Sequence, residues 1–194
     1  MTPRVFVIAG GPGSGKDDLI QAVRDLGTRH AAIVPKHTSR ARRRSDEDEM
    51  ICCDDPGYAL DSCDVRYENY GDQYGVSTLG IWRGLAAGHS QVLVVSNIVG
   101  INALRAAFGE LLVLVYVHSE ITRDEYIARE RRFRNADALY AKRRADDYRD
   151  AFRLYAENIL AFDHVLIASS RKEDLYDQLF RLFSAYGSGR INVT

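Results

Sequence analysis

A glycine-rich stretch near the start of the chain has the residue types and spacing of a phosphate-binding loop. Gly10, Gly15 and Lys16 form the pattern Gly-x4-Gly-Lys, between an apolar strand at about Arg4–Ala9 and a helix that begins near Asp17. Glycines let successive N–H groups point at one anion, and a lysine can reach the outer phosphates of a nucleotide. The spacing therefore predicts that a nucleotide binds here, and in the kinase hypothesis reached below this nucleotide is ATP. The predicted contacts are Gly11, Pro12, Gly13, Ser14, Gly15, Lys16, Asp17 and Asp18.

Asp17 stands where this pattern usually has a serine or threonine whose hydroxyl binds magnesium. Two interpretations remain open. The carboxylate can cap the helix and interact favourably with its dipole, or it can hold Mg2+ directly or through water. Because an acid beside bound polyphosphate is repulsive unless a cation lies between them, the sequence slightly favours Asp17 as a metal ligand.

Two clusters of arginine follow the loop, and both suit the recognition of phosphate. Transfer of a phosphoryl group between two phosphorylated molecules requires positive charge around both, and the guanidinium fork matches phosphate geometry. We interpret the first cluster as the acceptor site and the second as the group that neutralises the transferring phosphate. The alternative is that both are solvated basic surface. The first comprises Arg40, Arg42 and Arg43, and the second comprises Arg131, Arg132 and Arg134, joined by Arg143 and Arg144.

Length and composition indicate one globular domain of 194 residues with a formal net charge of -1. This charge gives no general attraction to nucleic acid or membranes, and we expect neither as a partner. The three cysteines have no zinc-ligand spacing, and their odd number without a secretory segment favours a reduced, cytoplasmic setting. No apolar run approaches the length of a membrane span.

Alternation of apolar strands with amphipathic helices predicts an α/β protein of the P-loop NTPase fold, with a parallel sheet covered by helices on both faces. The longest apolar run is expected to be the central strand, and Trp82 is expected in the core. The predicted strands are Arg4–Ala9, Ala31–Pro35, Met50–Cys53, Val65–Asn69, Val92–Val95, Leu111–Val117 and His164–Ala168. The predicted helices span about 17–26, 77–87, 101–108, 138–162 and 172–186, and a further helix begins near residue 121. The 138–162 helix is expected to pack on the core through an inner stripe of Tyr148, Phe152, Tyr155, Ile159 and Phe162.

Within the single domain we infer a small inserted lobe, because the segment between Arg40 and Tyr74 has only short strand signals and turns.

The order of these motifs resembles that of the guanylate kinases over nearly the whole chain. Thr38-Ser39-Arg40-x-x-Arg43 resembles their acceptor-phosphate motif, Tyr74-Gly75-Val76-Ser77 resembles their Tyr-Gly-Thr-Ser element, and Phe162–Ile167 resembles their last strand. The resemblance implies three parts within the single domain. A core spans 1–36, 77–128 and 138–186, a small acceptor-binding lobe spans about 37–76, and an arginine-rich lid at about 129–137 closes around two nucleotides. The resemblance also implies an ATP-dependent kinase that uses Mg2+. The residues implied in acceptor binding are Ser39, Arg40, Arg43, Glu68, Tyr74, Ser77 and Asn97, and those implied in catalysis are Lys16, Arg132, Arg134 and Arg143.

Departures from that pattern concern the acceptor. Val65 stands where guanylate kinases read guanine with a glutamate, and Val95 and Asn97 stand at the places of their aspartates. Valine cannot accept from guanine N–H groups, and each unpaired group would cost roughly 1–3 kcal/mol. Glu68 or Asp64 can substitute only if the register differs.

A related family, the ribose 1,5-bisphosphate phosphokinases, shares several of these departures. The chain resembles it in Gly15-Lys16-Asp17, in Tyr74-Gly75-Val76 and in the stretch Arg132–Ala136. Its acceptor has a ribose and phosphates but no base. We therefore expect an ATP-dependent kinase whose small phosphorylated acceptor is a nucleoside monophosphate, with ribose 1,5-bisphosphate as the alternative. A non-catalytic, guanylate-kinase-like module that binds a phosphorylated protein is a third hypothesis.

Overall fold

Two β-sheets and the helices packed on them make up the part of the chain that the computed structural model describes. For residues 123, 129, 130, 133 and 134 only the backbone is described. The described residues are 2–25, 31–40, 50–52, 60–69, 71–119, 122–134, 146, 153, 155–169 and 171–187. The strands are β1 (Val5–Ala9), β2 (Ala31–Ile33), β3 (Lys36–Thr38), β4 (Met50–Cys52), β5 (Val65–Asn69), β6 (Asp72–Val76), β7 (Ser90–Val94), β8 (Leu112–Ser119) and β9 (His164–Ala168).

The larger sheet has five parallel strands in the order β2-β7-β1-β8-β9. Its strands are nearly continuous apolar runs because both faces of the sheet are covered. On β1, Phe6 and Ile8 point into one hydrophobic cluster, whereas Val5 and Val7 point into the other. This confirms the predicted doubly covered parallel sheet. The predicted central strand is wrong, because β1 lies at the centre and the longer run of β8 lies beside it.

Helices cover the sheet on both sides. On the Phe6 side, the first and last helices bury Leu19, Val23, Leu175 and Leu179. On the other side, the second and third bury apolar residues against β1 and β7. None of the described helices is long and apolar enough to cross a bilayer. The helices are α1 (Lys16–Asp25), α2 (Thr78–Ala86), α3 (Ile98–Phe108), α4 (Arg123–Arg134) and α5 (Lys172–Ala185).

The smaller sheet has four strands in the order β4-β3-β6-β5 and lies within the segment for which the sequence predicts an inserted lobe. Strand β6 was not expected. It pairs antiparallel with β5, so that Val76 lies opposite Val65 and Asp72 lies opposite Asn69. Gly71 has a φ of +83° at the turn between the two strands. A glycine between two short alternating runs is the signal of such a hairpin.

Some element boundaries differ from the predictions for local chemical reasons. Strand β2 ends before Pro35, which lacks an N–H, and the chain then enters the smaller sheet as β3. Helix α3 begins three residues earlier than predicted because the Asn97 side chain accepts from the N–H groups of Val99 and Gly100 and so caps it.

The predicted inner stripe of the 138–162 helix is only partly right. Tyr155 is buried and packs on Phe162, and Tyr148 and Phe152 lie outside the described residues. Ile159 is exposed, because residues Ile159–Ala161 form a 3-10 turn and the helical periodicity ends before it. Trp82 is also wrongly assigned to the core, because it is 43% exposed, with one face against Phe108.

Candidate active site

The predicted phosphate loop connects the carboxyl end of β1 to the first turn of α1. Gly13 and Gly15 have φ angles of +73° and +95°, which residues with a Cβ rarely adopt. The Ser14 N–H donates to the Gly11 carbonyl at 3.2 Å and closes a tight turn. The glycine spacing is thus explained by the backbone conformation that the loop adopts.

The Lys16 side chain folds back over this loop. Its Nζ donates to the carbonyls of Gly10 and Gly11 at 2.9 and 2.5 Å and to Ser14 Oγ at 3.3 Å. These bonds hold a positive charge where the amino end of α1 already favours an anion. A phosphate oxygen at the loop would offer Nζ a charged acceptor in place of a neutral one, so that both partners of the hydrogen bond would be ionised.

Neighbouring elements support the loop from outside. Tyr126, in the first turns of α4, is completely buried, and a Cβ on Gly13 would lie 2.8 Å from its ring. A Cβ on Gly15 would lie 3.3 Å from Leu175 of α5 and 3.5 Å from Ala168 of β9. The loop therefore sits at the carboxyl edge of the parallel sheet, which is where open α/β proteins bind ligands.

The two acids that follow Lys16 have different surroundings. The Asp17 side chain is exposed. Asp18 forms an ion pair of 2.6 Å with Nζ of Lys172, at the start of α5. Both carboxylates lie in the first turn of α1, where they interact favourably with the helix dipole. Asp18 thus links α1 to α5, whereas the Asp17 carboxylate faces solvent beside the loop.

One face of the smaller sheet combines buried cations with aromatic rings. Lys36 and Thr38 of β3 point to this face, and Arg40 follows at the same two-residue spacing. Lys36 is 7% exposed and Arg40 is 8% exposed. The Arg40 N–H donates to Thr38 Oγ1 at 3.1 Å, and Thr38 lies opposite Tyr74 across the β3–β6 pair. The backbone of the predicted acceptor residue Arg40 is thus bonded to the Thr38 side chain, which lies opposite Tyr74.

Two stacked tyrosines form the centre of this face. The rings of Tyr67 and Tyr74 lie 5.5 Å apart with an angle of 9° between their planes. A Cβ on Gly100 would lie 2.7 Å from the Tyr67 ring, so that ring is pressed against the start of α3. Burial raises the pKa of Tyr67 well above its usual value, and the neighbouring hydroxyls of Tyr74 and Tyr155 raise it further. Tyr67 is therefore neutral at physiological pH.

Other predicted acceptor residues take part in the hydrogen bonding that holds the smaller sheet. Ser39 Oγ accepts from the N–H of Gln73 at 2.9 Å, and the Ser39 N–H donates to the Gln73 carbonyl. The Glu68 carboxylate is exposed and accepts from the Gln73 side chain at 3.2 Å. Ser77 caps α2, and Asn97 donates from Nδ2 to the Glu68 carbonyl at 2.9 Å. Asn97 therefore ties α3 to the edge of the smaller sheet.

The two valines at the places of guanine-reading acids are buried. Val65 is 4% exposed and Val95 is not exposed at all. Both belong to the hydrophobic cluster that also contains Tyr67 and Tyr74. Asp64 does not replace them as a base reader here, because its carboxylate accepts from both the N–H and the hydroxyl of Thr78 at the start of α2.

Asp64 provides a test of how α2 is anchored. Partial burial alone would raise the pKa of Asp64, but the hydrogen bonds from Thr78 lower it below its ordinary value of 3.8. The ionised Asp64 carboxylate is therefore favoured in the folded protein. Its contribution to the free energy of unfolding is present above the ordinary pKa and is lost as the pH falls through the lower pKa of the folded state. We expect Asp64→Ala to reduce the free energy of unfolding by about 1 kcal/mol at neutral pH, because the site is exposed and screened. Urea denaturation should show a smaller difference at about pH 3, and a pH-independent difference would contradict this account.

Only part of the predicted lid can be located. Helix α4 begins with a capping box, in which Thr122 and Glu125 exchange hydrogen bonds. The hydrogen bonds from the Thr122 side chain and backbone lower the pKa of Glu125. The Arg132 side chain is exposed on α4. The side chain of Arg134, together with Arg43 and Arg143, lies outside the described residues, so these assignments stay predictions.

Two residues that lie beside predicted site residues were not identified from the sequence. Lys36 and Thr38 stand at alternate positions, and this period of two, once β3 is recognised, places both on one face. Tyr126 contacts the loop from a part of the chain that is distant in sequence, and no local sequence pattern predicts such a contact.

Comparison with known proteins supports the fold. No protein-family profile and no curated protein matches the chain. Among solved structures, it resembles a guanylate kinase from Anaplasma phagocytophilum with a TM-score of 0.66 and 15% sequence identity, over 96% of this chain and 87% of that one. A dephospho-CoA kinase from Campylobacter jejuni aligns with a TM-score of 0.44 and 9% identity, over 97% of this chain and 100% of that one. The predicted likeness to the guanylate kinases is thus confirmed at the level of structure, and the chain has a guanylate-kinase-like P-loop fold.

Proposed function

We propose that the protein is an ATP-dependent kinase that transfers the γ-phosphate of ATP to a phosphate on a small acceptor. The observation that supports this most strongly is the loop in which Lys16 holds its ammonium over the carbonyls of Gly10 and Gly11. Lys16 and the loop N–H groups would bind the β- and γ-phosphates. Arg40, which is buried just past the end of β3, and Tyr74 on β6 would bind the acceptor phosphate. Arg132, Arg134 and Arg143 would neutralise the transferring group. An acceptor phosphate is already ionised, so no general base is needed.

The residues present fit a magnesium ion at the loop. Asp17 is exposed in the first turn of α1, directly after Lys16, whereas Asp18 is paired with Lys172. Mg2+ is usually held by one or two carboxylates together with substrate phosphates rather than by a full cage of protein ligands. Asp17 would therefore hold it, and the bound ion would neutralise charge on the nucleotide phosphates.

The acceptor is where this chain departs from guanylate kinases. The order of the motifs favours a nucleoside monophosphate. However, Val65 and Val95 are buried among apolar side chains, and a guanine placed against them would leave its N–H groups without acceptors. This apolar environment disfavours GMP and supports the second candidate, ribose 1,5-bisphosphate, whose recognition needs no base-reading acid.

A coupled assay of ADP release with GMP, dGMP, AMP, UMP and ribose 1,5-bisphosphate distinguishes these acceptors. We expect turnover with one class only, and no turnover with any of them would contradict the proposal in this form. The rival, a non-catalytic phospholigand-binding module, requires no ATP site. Binding of MgATP by calorimetry that is lost in Lys16→Ala would exclude that rival.

A further inference from the structure

Strand β9 forms one edge of the larger sheet. Among the described strands it pairs only with β8, so its outer side presents backbone N–H and C=O groups to which another strand can bind. Proteins commonly block such an edge with charged side chains, with proline or by making the strand very short. The strand at the opposite edge, β2, has only three residues, whereas β9 has five and contains no lysine, arginine, acidic residue or proline. None of these devices therefore protects the edge at β9.

Two apolar side chains make this edge suitable for self-association. Val165 and Ile167 are 44% and 43% exposed, on the face of β9 opposite to the buried Leu166. An uncharged run that is rich in β-branched residues is typical of segments that add to other strands. A second copy of this chain has the same edge, so pairing of two β9 strands would bind the outward backbone groups and cover these side chains.

The side chain of Gln178, on α5, occupies the edge at Ile167. Its Oε1 accepts from the Ile167 N–H at 2.9 Å, and its Nε2 donates to the Ile167 carbonyl, also at 2.9 Å. These are the two bonds that the opposite residue of an antiparallel strand would make. Nε2 also donates to the Asp174 carbonyl, one turn earlier in α5, at 3.1 Å. Because both Nε2 hydrogens have carbonyl acceptors, the amide is held in this orientation.

We propose that Gln178 is an edge cap that prevents β9 from pairing with β9 of a second copy of this chain. This inference does not depend on the proposed function. The competing explanation is that Gln178 only attaches α5 to the sheet. However, α5 is already held there by Leu175, Leu179 and Leu182, which are buried in the hydrophobic cluster beneath it. Only the edge cap predicts that the protein associates when the carboxamide is removed.

Analytical ultracentrifugation of Gln178→Ala and Gln178→Met distinguishes the two explanations. Both variants lack the carboxamide, and methionine keeps the length of the side chain, so one serves if the other does not fold. We expect each to reach about twice the wild-type mass or more as its concentration rises, because two open edges pair. Adding Ile167→Lys, which places a charge at an exposed position of the edge, should restore the wild-type mass.

Gln21→Ala is the matched control. Gln21 is an exposed glutamine on α1 whose Nε2 donates to the Asp25 carboxylate at 2.9 Å. Its replacement removes a helical carboxamide without opening a strand edge, so this variant should keep the wild-type mass. Thermal unfolding of every variant identifies damage to the fold.

Hydrogen exchange at the Ile167 amide gives a second measurement. In Gln178→Ala at low concentration we expect exchange about tenfold faster than in the wild type, because the N–H has lost its acceptor. At high concentration, protection should return as a second β9 strand supplies a carbonyl.

Three results would overturn the edge cap. In the first, both Gln178 variants keep the wild-type mass at every concentration. In the second, they associate but Ile167→Lys does not reverse the association, which then uses another surface. In the third, the wild-type protein is already associated through β9, as shown by its dissociation in the single variant Ile167→Lys.

Discussion

Replacement of Lys16 by alanine is expected to lower kcat/KM for phosphoryl transfer by about 10²- to 10³-fold, the usual effect of removing one donor that stabilises charge in the transition state. Lys16 Nζ contacts two loop carbonyls and Ser14, so it is already positioned where the outer phosphates would lie. The loss should appear in kcat as well as in KM, because charge on the transferring group is greatest in the transition state. Initial rates with the accepted acceptor and calorimetry with MgATP measure the two effects.

The fold should survive this change. The carbonyls that Lys16 leaves belong to the buried residues Gly10 and Gly11, so we expect a loss of about 1–3 kcal/mol in the free energy of unfolding. Arg153→Ala is a suitable control for charge, because Arg153 is exposed and pairs only weakly with Glu157 at 3.1 Å. Activity of Lys16→Ala within about threefold of the Arg153→Ala variant would remove the basis of the proposed function.

The larger sheet and its loop could be predicted from the sequence because their signals are local. Strands buried on both faces are continuous apolar runs, as in β1 and β8. The glycines around Lys16 indicate a backbone with positive φ angles, which residues with a Cβ rarely adopt. The ends of elements were less certain, since they depend on single side chains. Asn97 moved the start of α3 by capping it.

The smaller sheet was harder to predict because its strands are short and carry polar residues on a buried face. A hydropathy pattern predicts that Lys36 and Arg40 are exposed to solvent, yet both are buried. Their environment is created by Tyr74 and Tyr67, whose stacking depends on the β5–β6 hairpin. The face of the smaller sheet that carries Tyr74 and Tyr67 is therefore a product of strand pairing, which single-sequence patterns do not specify.

The contact between Tyr126 and the phosphate loop gives the second large prediction. We expect Tyr126→Ala to reduce the free energy of unfolding by about 3–5 kcal/mol, as removal of a buried aromatic ring usually does. It should also raise the KM for ATP about tenfold, because a loop that must hold its N–H groups on one anion loses the ring packed against Gly13. Urea denaturation and initial rates at varied ATP concentration measure the two effects.

A matched core variant separates loss of stability from loss of loop support. Phe183 is similarly buried and packs on Phe6 at 4.7 Å between ring centres, in the cluster beneath α1 and α5. Phe183→Ala should cost a similar amount of stability and leave the KM for ATP within about twofold. Tyr126→Phe keeps the ring against Gly13 and should also keep the KM for ATP. If Phe183→Ala raises the KM for ATP as much as Tyr126→Ala does, the effect belongs to global stability, and Tyr126 has no specific part in positioning the loop.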